Sequence, residues 1–411
     1  MNVGVVSTRF HGTDGVSLET GKVADVVEEA GHDVAWFAGE LGERFHPGTT
    51  HPLAHFKAPA IVRITEAAFG QGTWSPATHA AIDSITRELK DALRRFVDEF
   101  DVDVLIAENV LCLPMNLPLG LAVGQLLAET GLPAVGHHHD FSWERARFRR
   151  TVVPHLLATA FPPALDNLEH VVIQSIAQLE LHRRRDLDSA LLPNVMDFER
   201  GPANPGDPQA YRQAAGMDPE DVLLLQPTRV VPRKGIETTL QLAYELADEH
   251  IKVVVSHEDG DEGPRYGQFL RNEAERLGVD LRFVPAAADA ADEPGRPLLA
   301  DAYAAADLVS YPSRYEGFGN ALLEAFFYRR PVLVNRYPVY TRDIAPTGTR
   351  CIEIEDSELT GEAIKQAGAW LEDPRRHQDC VEANYRVGLD HFSYATIRDR
   401  FLPLLPAASG S

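Results

Sequence analysis

Two glutamates, eight residues apart, are the first candidates for chemistry in this sequence. Glu316 lies in a stretch broken by Gly317 and Gly319, which allow a backbone to approach a ligand closely. Glu324 lies in the run that follows, where Leu, Ala and Phe predict a helix over 320–328. At about 1.5 Å per helical residue the two acids are about 12 Å apart, too far to act on one bond. The spacing suits two acids that hold opposite ends of one long ligand.

A nucleotide sugar has this layout, with sugar hydroxyls at one end, ribose hydroxyls at the other and a diphosphate between them. The N-terminal amides of the predicted helix would face that diphosphate. Arg229 and Lys234 lie in the loop PTRVVPRKG after the predicted strand Val222–Gln226, where two cations can clamp a diphosphate and stabilise it as a leaving group. The same residues also fit a solvated helix start and surface charge, so both interpretations stay open on spacing alone.

A segment rich in His and Arg, HHHDFSWERARFRR, follows the predicted strand Pro133–Gly136. Neighbouring side chains of an extended chain point to opposite faces, so His138 does not readily share a metal ion with His137 and His139. We therefore predict no metal site here and expect one or two of these histidines to line a cleft. Arginine binds carboxylate and phosphate in a bidentate way, although the arginines equally fit a solvated helix face. The candidate contacts for an anionic acceptor are His138, Asp140, Arg145 and Arg149.

The elements around these residues predict two α/β domains. The chain has 411 residues, too many for one ordinary core, and it opens with a strand, a loop containing Gly12 and Gly15, a helix and a second strand. The alternation restarts after 201–208, which is rich in Pro, Gly and Asp. We predict domains over 1–200 and 201–393, with a final helix at about 394–405 that packs back on the first.

Two loops of the first half carry weaker signals. The first loop, TRFHGTDGVSLE, lacks the G-x-G-x-x-G pattern, which makes a nicotinamide enzyme a weak alternative. Residues 39–80 contain Gly, Pro and several His with little periodicity, and we expect a long irregular excursion there.

Composition excludes several classes of partner. The 61 acidic residues exceed the 39 basic ones, and a formal charge of −22 disfavours nucleic acids and anionic membranes. Three widely spaced cysteines indicate neither disulfides nor zinc and fit a reducing cytoplasm. The chain enters a strand at once, and it has no run of about 18 apolar residues, so we expect a cytoplasmic protein without a signal peptide or membrane span. A homodimer stays open.

Three stretches of the second half carry a family resemblance. They are TRVVPRKGIETTL, SRYEGFGNALLEAFFYRRPVLV with its Glu-x7-Glu spacing, and the interdomain segment LLPNVMDF. With them the chain resembles the family-4 retaining glycosyltransferases of the GT-B fold. The first half is similar more loosely, through its Gly12 to Gly15 loop and through His139, six residues after Pro133. The resemblance implies two Rossmann-like domains that face each other across a cleft, the first for acceptor and the second for donor.

The resemblance also implies residue roles. Arg229 and Lys234 would hold the donor diphosphate, Glu316 the hydroxyls of the transferred sugar, and Glu324 the ribose. Gly15 would face the phosphates across the cleft, and His139 would lie near the reacting sugar. The implied catalytic residues are His139, Arg229, Lys234 and Glu316. The implied donor site is Gly15, Arg229, Lys234, Glu316, Gly317, Phe318, Gly319, Asn320 and Glu324, in which Asn320 departs from the more common apolar residue.

Enzymes of this kind are thought to transfer the sugar on the face from which the diphosphate leaves, with a phosphate oxygen taking the acceptor's proton. No covalent nucleophile is then required, and metal is generally dispensable. Asp-x-Asp triplets occur at 101–103, 186–188 and 259–261, outside the predicted diphosphate loops, and we interpret them as solvated acids. We therefore predict no tightly bound cofactor, a UDP- or GDP-hexose as co-substrate and no required divalent metal.

We predict a retaining glycosyltransferase that moves a hexose, glucose or mannose, from a nucleoside diphosphate sugar to a small soluble polar or anionic acceptor. Phe141, Trp143 and Phe148, interleaved with arginines, keep a lipid or cell-envelope precursor open as the acceptor. A sugar-nucleotide epimerase is a more distant alternative, since it would turn over donor without acceptor. A nucleotide-sugar binding protein would bind donor without turnover.

Overall fold

The computed structural model describes residues 1–12, 14–70, 72–260, 263–287 and 295–406, which form two compact units. One unit consists of Met1–Asn194 together with the chain from Ala395 onward, and the other of Val195–Tyr394. Each is built on one parallel β-sheet with helices, as the alternation of strand and helix patterns predicts. The acceptor and donor roles assigned to the two domains stay predictions.

The first unit has a seven-stranded sheet in the order β3-β2-β1-β4-β5-β6-β7. Its strands are β1 Asn2–Val6, β2 Asp33–Ala38, β3 Gly48–Thr50, β4 Val104–Glu108, β5 Ala134–His138, β6 Leu168–Val172 and β7 Ala190–Leu191. Its helices are α1 Gly15–Glu29, α2 Pro59–Phe69, α3 Pro76–Glu99, α4 Leu117–Thr130, α5 Ala146–Arg149, α6 Pro154–Ala160 and α7 Ser175–Arg185. Every residue of β4 and β5 is buried, as expected for strands with helices on both faces.

The second unit has a six-stranded sheet in the order β10-β9-β8-β11-β12-β13. Its strands are β8 Val222–Gln226, β9 Ile251–Val255, β10 Asp280–Phe283, β11 Leu308–Tyr311, β12 Val332–Asn335 and β13 Ile352–Ile354. Its helices are α8 Pro208–Ala214, α9 Ile236–Leu246, α10 Arg265–Leu277, α11 Leu299–Ala305, α12 Asn320–Phe327, α13 Gly361–Glu372 and α14 Arg375–His391. A last helix, α15 Tyr394–Arg400, follows. None of the helices in the described ranges is long and apolar enough to cross a membrane.

The prediction of a long irregular excursion over 39–80 is wrong. This region contains β3, α2 and the start of α3. Pro59 occupies the first turn of α2, a position where proline is favoured, and Ile61, Ile64 and Ala68 recur at helical spacing and are buried in the first core. The helical period was therefore present in the sequence, but the surrounding Gly, Pro and His residues obscured it.

The strand orders place one ligand-binding edge in each unit. The order reverses between β1 and β4 in the first sheet and between β8 and β11 in the second. Open parallel sheets bind ligands at the carboxyl ends of their strands at such a switch point. The loops after these four strands are therefore where functional side chains are expected.

Candidate active-site residues in the two units

An ion pair joins the loops after β8 and β11 in the second unit. Lys234 Nζ lies 2.5 Å from Glu316 Oε1, and Arg233 donates from a guanidinium nitrogen to Glu316 Oε2 at 3.2 Å. Lys234 is 8% exposed and Glu316 is 7% exposed. Burial lowers the pKa of Lys234, and Glu316 opposes that shift. Burial alone would raise the pKa of Glu316, but Lys234 holds it below its usual value. The pair is a charged contact that solvent hardly screens.

A tight turn brings Lys234 to this position. Residues Pro232–Lys234 form one 3-10 turn, which ends at Gly235 with φ of +64°. A Cβ on Gly235 would lie 2.7 Å from the carbonyl oxygen of Pro312, so a side chain there would collide with the neighbouring loop as well as strain the backbone. The amide of Arg314 donates to the carbonyl of Arg233 at 2.8 Å, and this bond ties the two loops together.

The glycine-rich loop before α12 has the form expected of a ligand loop. Gly319 has φ of +138° directly before the helix, and a Cβ there would lie 2.2 Å from the hydroxyl of Tyr337. That hydroxyl donates to the carbonyl of Phe318 at 2.9 Å and so fixes the loop. At Gly317 a Cβ would meet no heavy atom within 4 Å, so this part of the backbone is open to approach. Asn320 is the first residue of α12, whose N-terminal amides follow the loop.

The remaining predicted donor residues are not members of the ion pair. Arg229 is exposed, and its charge adds to burial in lowering the pKa of Lys234. Glu324 is half-buried on α12, where the hydroxyl of Tyr303 donates to its Oε2 at 2.7 Å. Gly15, in the first unit, is the exposed first residue of α1. Arg233 was not singled out from the sequence, although its place beside Lys234 in a short turn before a glycine was a signal.

In the first unit, Glu108 at the end of β4 contacts two histidines at the end of β5. His137 Nδ1 lies 3.0 Å from Glu108 Oε2, and His139 Nε2 lies 2.6 Å from Glu108 Oε1. Glu108 is fully buried, yet the two histidines outweigh burial and lower its pKa to about 2. Burial would lower the pKa of His139, but Glu108 raises it. The backbone amide of His139 also donates to Asn109 Oδ1 at 3.1 Å. His139 is therefore held in one orientation by Glu108, the last residue of β4, and by Asn109, which follows it.

His138 lies on the opposite face of β5, as the alternation of side chains predicts. It is fully buried, and its Nε2 lies 2.9 Å from Nδ1 of His170. Burial lowers the pKa of His138 and lowers that of His170 to about 4, so both imidazoles are neutral at pH 7. The predicted contact of His138 with an acceptor is at odds with this placement, because the side chain offers no accessible atom.

The other candidate acceptor residues are paired, exposed or buried. Arg145 makes an ion pair with Asp140, and Arg149 is exposed on the one-turn helix α5. Phe141 and Phe148 are buried. The basic and aromatic patch that the sequence offered for a membrane or lipid is therefore not formed by these two rings.

Glu108, His137 and His139 are also the group that could hold a metal ion. Their ligand atoms all lie within 4.8 Å of one another, which no other group of three or more such residues achieves in the part of the chain that the structure describes. Both carboxylate oxygens of Glu108 already contact an imidazole nitrogen, so the same geometry satisfies the acid without an ion. The Asp-x-Asp residues are not part of this group, and Asp261 lies outside the described residues.

The chain belongs to the group 1 glycosyltransferases of the GT-B fold. The family model described as glycosyl transferases group 1 matches residues 207–387. Mannosylglucosylglycerate synthase of Thermotoga maritima is 30% identical over 97% of this chain and 98% of that protein, and the enzyme of the same name from Petrotoga mobilis is 29% identical over 86% of each. The crystal structure of Anabaena HepE in complex with UDP and glucose has a TM-score of 0.66 at 14% identity, over 97% of each chain. The predicted family and fold are thereby confirmed, and the protein is a glycosyltransferase.

Proposed function

We propose that the protein transfers a hexose from a nucleoside diphosphate sugar to a small polar acceptor that carries an anionic group, with retention of configuration. The buried ion pair of Lys234 and Glu316 at the switch point of the second sheet is the observation that carries this proposal. The names of two relatives describe a product containing mannose, glucose and glycerate, which supports a carboxylate-bearing acceptor. The UDP and glucose bound by Anabaena HepE support a nucleotide-sugar donor.

The pair of Lys234 and Glu316 can exchange partners when a donor binds. Lys234 turns to the diphosphate together with the exposed Arg229, and Glu316 accepts a hydrogen bond from a hydroxyl of the sugar. Arg233 keeps its contact with Glu316, so the carboxylate does not lose every counter-charge. The donor thus enters a site whose charges are already desolvated and oriented, which is where electrostatic stabilisation is most effective.

Transfer then needs no nucleophile from the protein. The bond between the anomeric carbon and the diphosphate breaks, and the diphosphate leaves with the electron pair, stabilised by Lys234, Arg229 and the N-terminal amides of α12. The acceptor hydroxyl forms the new bond on the same face, and its proton passes to an oxygen of the leaving phosphate. Glu108 orients His139 through Nε2 and leaves the other ring nitrogen for a substrate.

A small acceptor fits the first unit better than a lipid does. Phe141 and Phe148 are buried, which removes two of the three rings on which a lipid or cell-envelope acceptor was argued. An epimerase would need an acid and a base placed at one sugar carbon, and the positions of Lys234 and Glu316 as an ion pair do not supply that arrangement. A cytoplasmic location, a homodimer and independence of divalent metal stay predictions.

The test is a transfer assay with UDP-glucose, GDP-glucose, GDP-mannose and UDP-mannose, each mixed with D-glycerate, with a glucoside of glycerate or with glycerol, in EDTA and then in magnesium. We expect one donor to yield a glycoside of a carboxylate-bearing acceptor in EDTA, and proton NMR of the product to show the anomeric configuration of the donor. Conversion of the donor sugar without acceptor would favour the epimerase. Donor binding without turnover of any mixture would contradict the proposal.

A further inference from the structure

A cavity of about 140 Å³ lies at the carboxyl ends of β1 and β4, at the switch point of the first sheet. Six of the residues that line it are Arg9, Asp14, Phe56, Glu108, Asn109 and Met115. Pockets that enclose a drug-sized ligand begin at about 300 Å³, so this one admits a small group or one end of a molecule. It lies beside the carboxylate that orients His139.

Arg9 places a guanidinium in the lining of this cavity, and most of its N–H donors are not used by the residues that the structure describes. One of its terminal nitrogens donates to Asp14 Oδ2 at 2.9 Å, and its guanidinium carbon lies 5.6 Å from the centroid of the Phe56 ring. Across the described ranges, Asp14 is the one hydrogen-bonding partner that Arg9 has. A guanidinium carries five N–H donors in a planar fork, so most of them stay available for a ligand.

The acids around Arg9 have other partners. Asp14 caps α1, where its Oδ1 accepts from the amides of Val16 at 3.2 Å and Ser17 at 3.1 Å. Its Oδ2 also accepts from the hydroxyl of Ser17 at 2.9 Å. The start of a helix stabilises such a carboxylate without help from an arginine. Both oxygens of Glu108 contact histidines. Both acids that line this cavity are therefore satisfied by groups other than Arg9, which leaves the guanidinium able to exchange Asp14 for a ligand.

We propose that this cavity is the subsite for the anionic group of the acceptor and that Arg9 binds that group, a carboxylate or a phosphate, through its planar fork. The inference rests on the proposed function and gives the acceptor a fixed end. Phe56 supports the guanidinium and offers a ring face to the carbon atoms beside the anion. The role moves the anion contact away from Arg145 and Arg149, because Arg145 is paired with Asp140 and Arg149 is exposed on a one-turn helix.

Direct binding tests the site without any turnover. D-glycerate, inorganic phosphate and glycerol are titrated by calorimetry into the wild type, Arg9→Gln and Arg44→Gln, each saturated with the nucleoside diphosphate that binds best. Arg44 is the matched control, since it pairs with Asp25 elsewhere in the same unit. We expect the wild type and Arg44→Gln to bind one of the anions but not glycerol, and Arg9→Gln to bind that anion at least tenfold more weakly.

Which anion binds distinguishes a carboxylate subsite from a phosphate subsite. Equal anion affinity in Arg9→Gln and the wild type would overturn the inference. So would a wild type that binds neither glycerate nor phosphate. If no acceptor is glycosylated in the transfer assay, the proposed function fails on its own, and the calorimetry still decides whether Arg9 holds an anion.

A second variant, Asp14→Asn, should change the affinity for the anion in the opposite direction from Arg9→Gln. Asp14→Asn keeps an oxygen that caps α1 but removes the charge that competes for Arg9. We expect it to bind the anion severalfold more tightly and to lower the KM of a carboxylate-bearing acceptor, with the donor dissociation constant unchanged. A loss of anion affinity in Asp14→Asn equal to that in Arg9→Gln would mean that the pair only stabilises the fold.

Discussion

At the scale of single residues, the proposed function depends on buried charges that each have an oppositely charged partner. Lys234 and Glu316 face each other at 2.5 Å, and Arg233 contacts the same carboxylate. A buried pair of this kind contributes little net stability, because desolvation offsets much of the attraction. Its presence at a switch point is better explained by what the two groups do when a phosphate and a sugar hydroxyl come between them.

Lys234→Ala tests this explanation. We expect turnover to fall by about two to three powers of ten, because the departing diphosphate loses a desolvated charge partner. Arg233 stays with Glu316, so the variant should still fold. The matched control is Lys252→Ala, which removes a mostly buried lysine paired with Asp221 at 3.3 Å from the opposite end of the same sheet. Steady-state kinetics and melting temperatures are measured for both. Equal losses of turnover in the two variants would remove Lys234 from the mechanism.

Residue type and spacing were enough to place Lys234 and Glu316 at the same edge of the second sheet, because both lie in loops that leave a strand for a helix. Their ion pair was not predicted, and their roles toward a donor stay predictions. They were not enough for Glu108, which the sequence shows only as an acid at the end of a strand. Its partners are 29 and 31 residues away, and strand register decides that they meet. Sequence alternation separated His138 from its neighbours, but it could not tell which face of β5 would be closed by His170.

At the scale of elements, the alternation of strands and helices predicted both sheets and the edge that carries the site. The helix of 320–328 was predicted to within one residue of α12, whereas α2 and β3 were missed among Gly, Pro and His. The turn after Lys234 shows why local detail matters more than element bounds. It depends on Gly235, which has φ of +64° and lies against the carbonyl of Pro312. No periodic pattern in the sequence predicts either feature.

Gly235→Ala measures how much this turn matters. A positive φ alone costs an alanine about 1–2 kcal/mol, and overlap with the Pro312 carbonyl should add about 1–3 kcal/mol. Gly278→Ala is the control, because Gly278 has φ of +71° with no heavy atom near its Cβ position and lies after α10. Urea unfolding and steady-state kinetics should show the larger destabilisation and a loss of turnover in Gly235→Ala. Equal destabilisation of the two variants would mean that the loops adjust to the extra atom.

At the scale of the whole molecule, the response of stability to pH combines opposite contributions from the first unit. Burial lowers the pKa of His170 to about 4, so the unfolded chain binds a proton there that the folded unit refuses, and stability falls as the pH drops from 6.5 towards 4. Burial raises the pKa of Glu144 to about 7, so the folded unit binds a proton there at a higher pH than the unfolded chain does. Stability therefore rises as the pH drops from 7 towards 4.5. At about 1.4 kcal/mol per pH unit, each contribution amounts to roughly 3 kcal/mol, and these two largely cancel. The buried imidazole of His138, whose pKa burial also lowers, adds to the loss of stability in acid.

Single substitutions should expose this cancellation. We expect His170→Gln to make the first unit more stable at pH 5 relative to pH 7.5 than it is in the wild type, because one of the two acid-sensitive imidazoles is gone and only that of His138 remains. Glu144→Gln should do the reverse, since it removes the group that gains a proton on folding. Tryptophan fluorescence follows this unit well, because Trp36, Trp74 and Trp143 belong to it and only Trp370 does not. Urea unfolding at pH 5 and pH 7.5 gives the free energy of unfolding of each variant relative to the wild type. If the change between the two pH values has the same sign in both variants, burial of these two side chains does not govern the pH response.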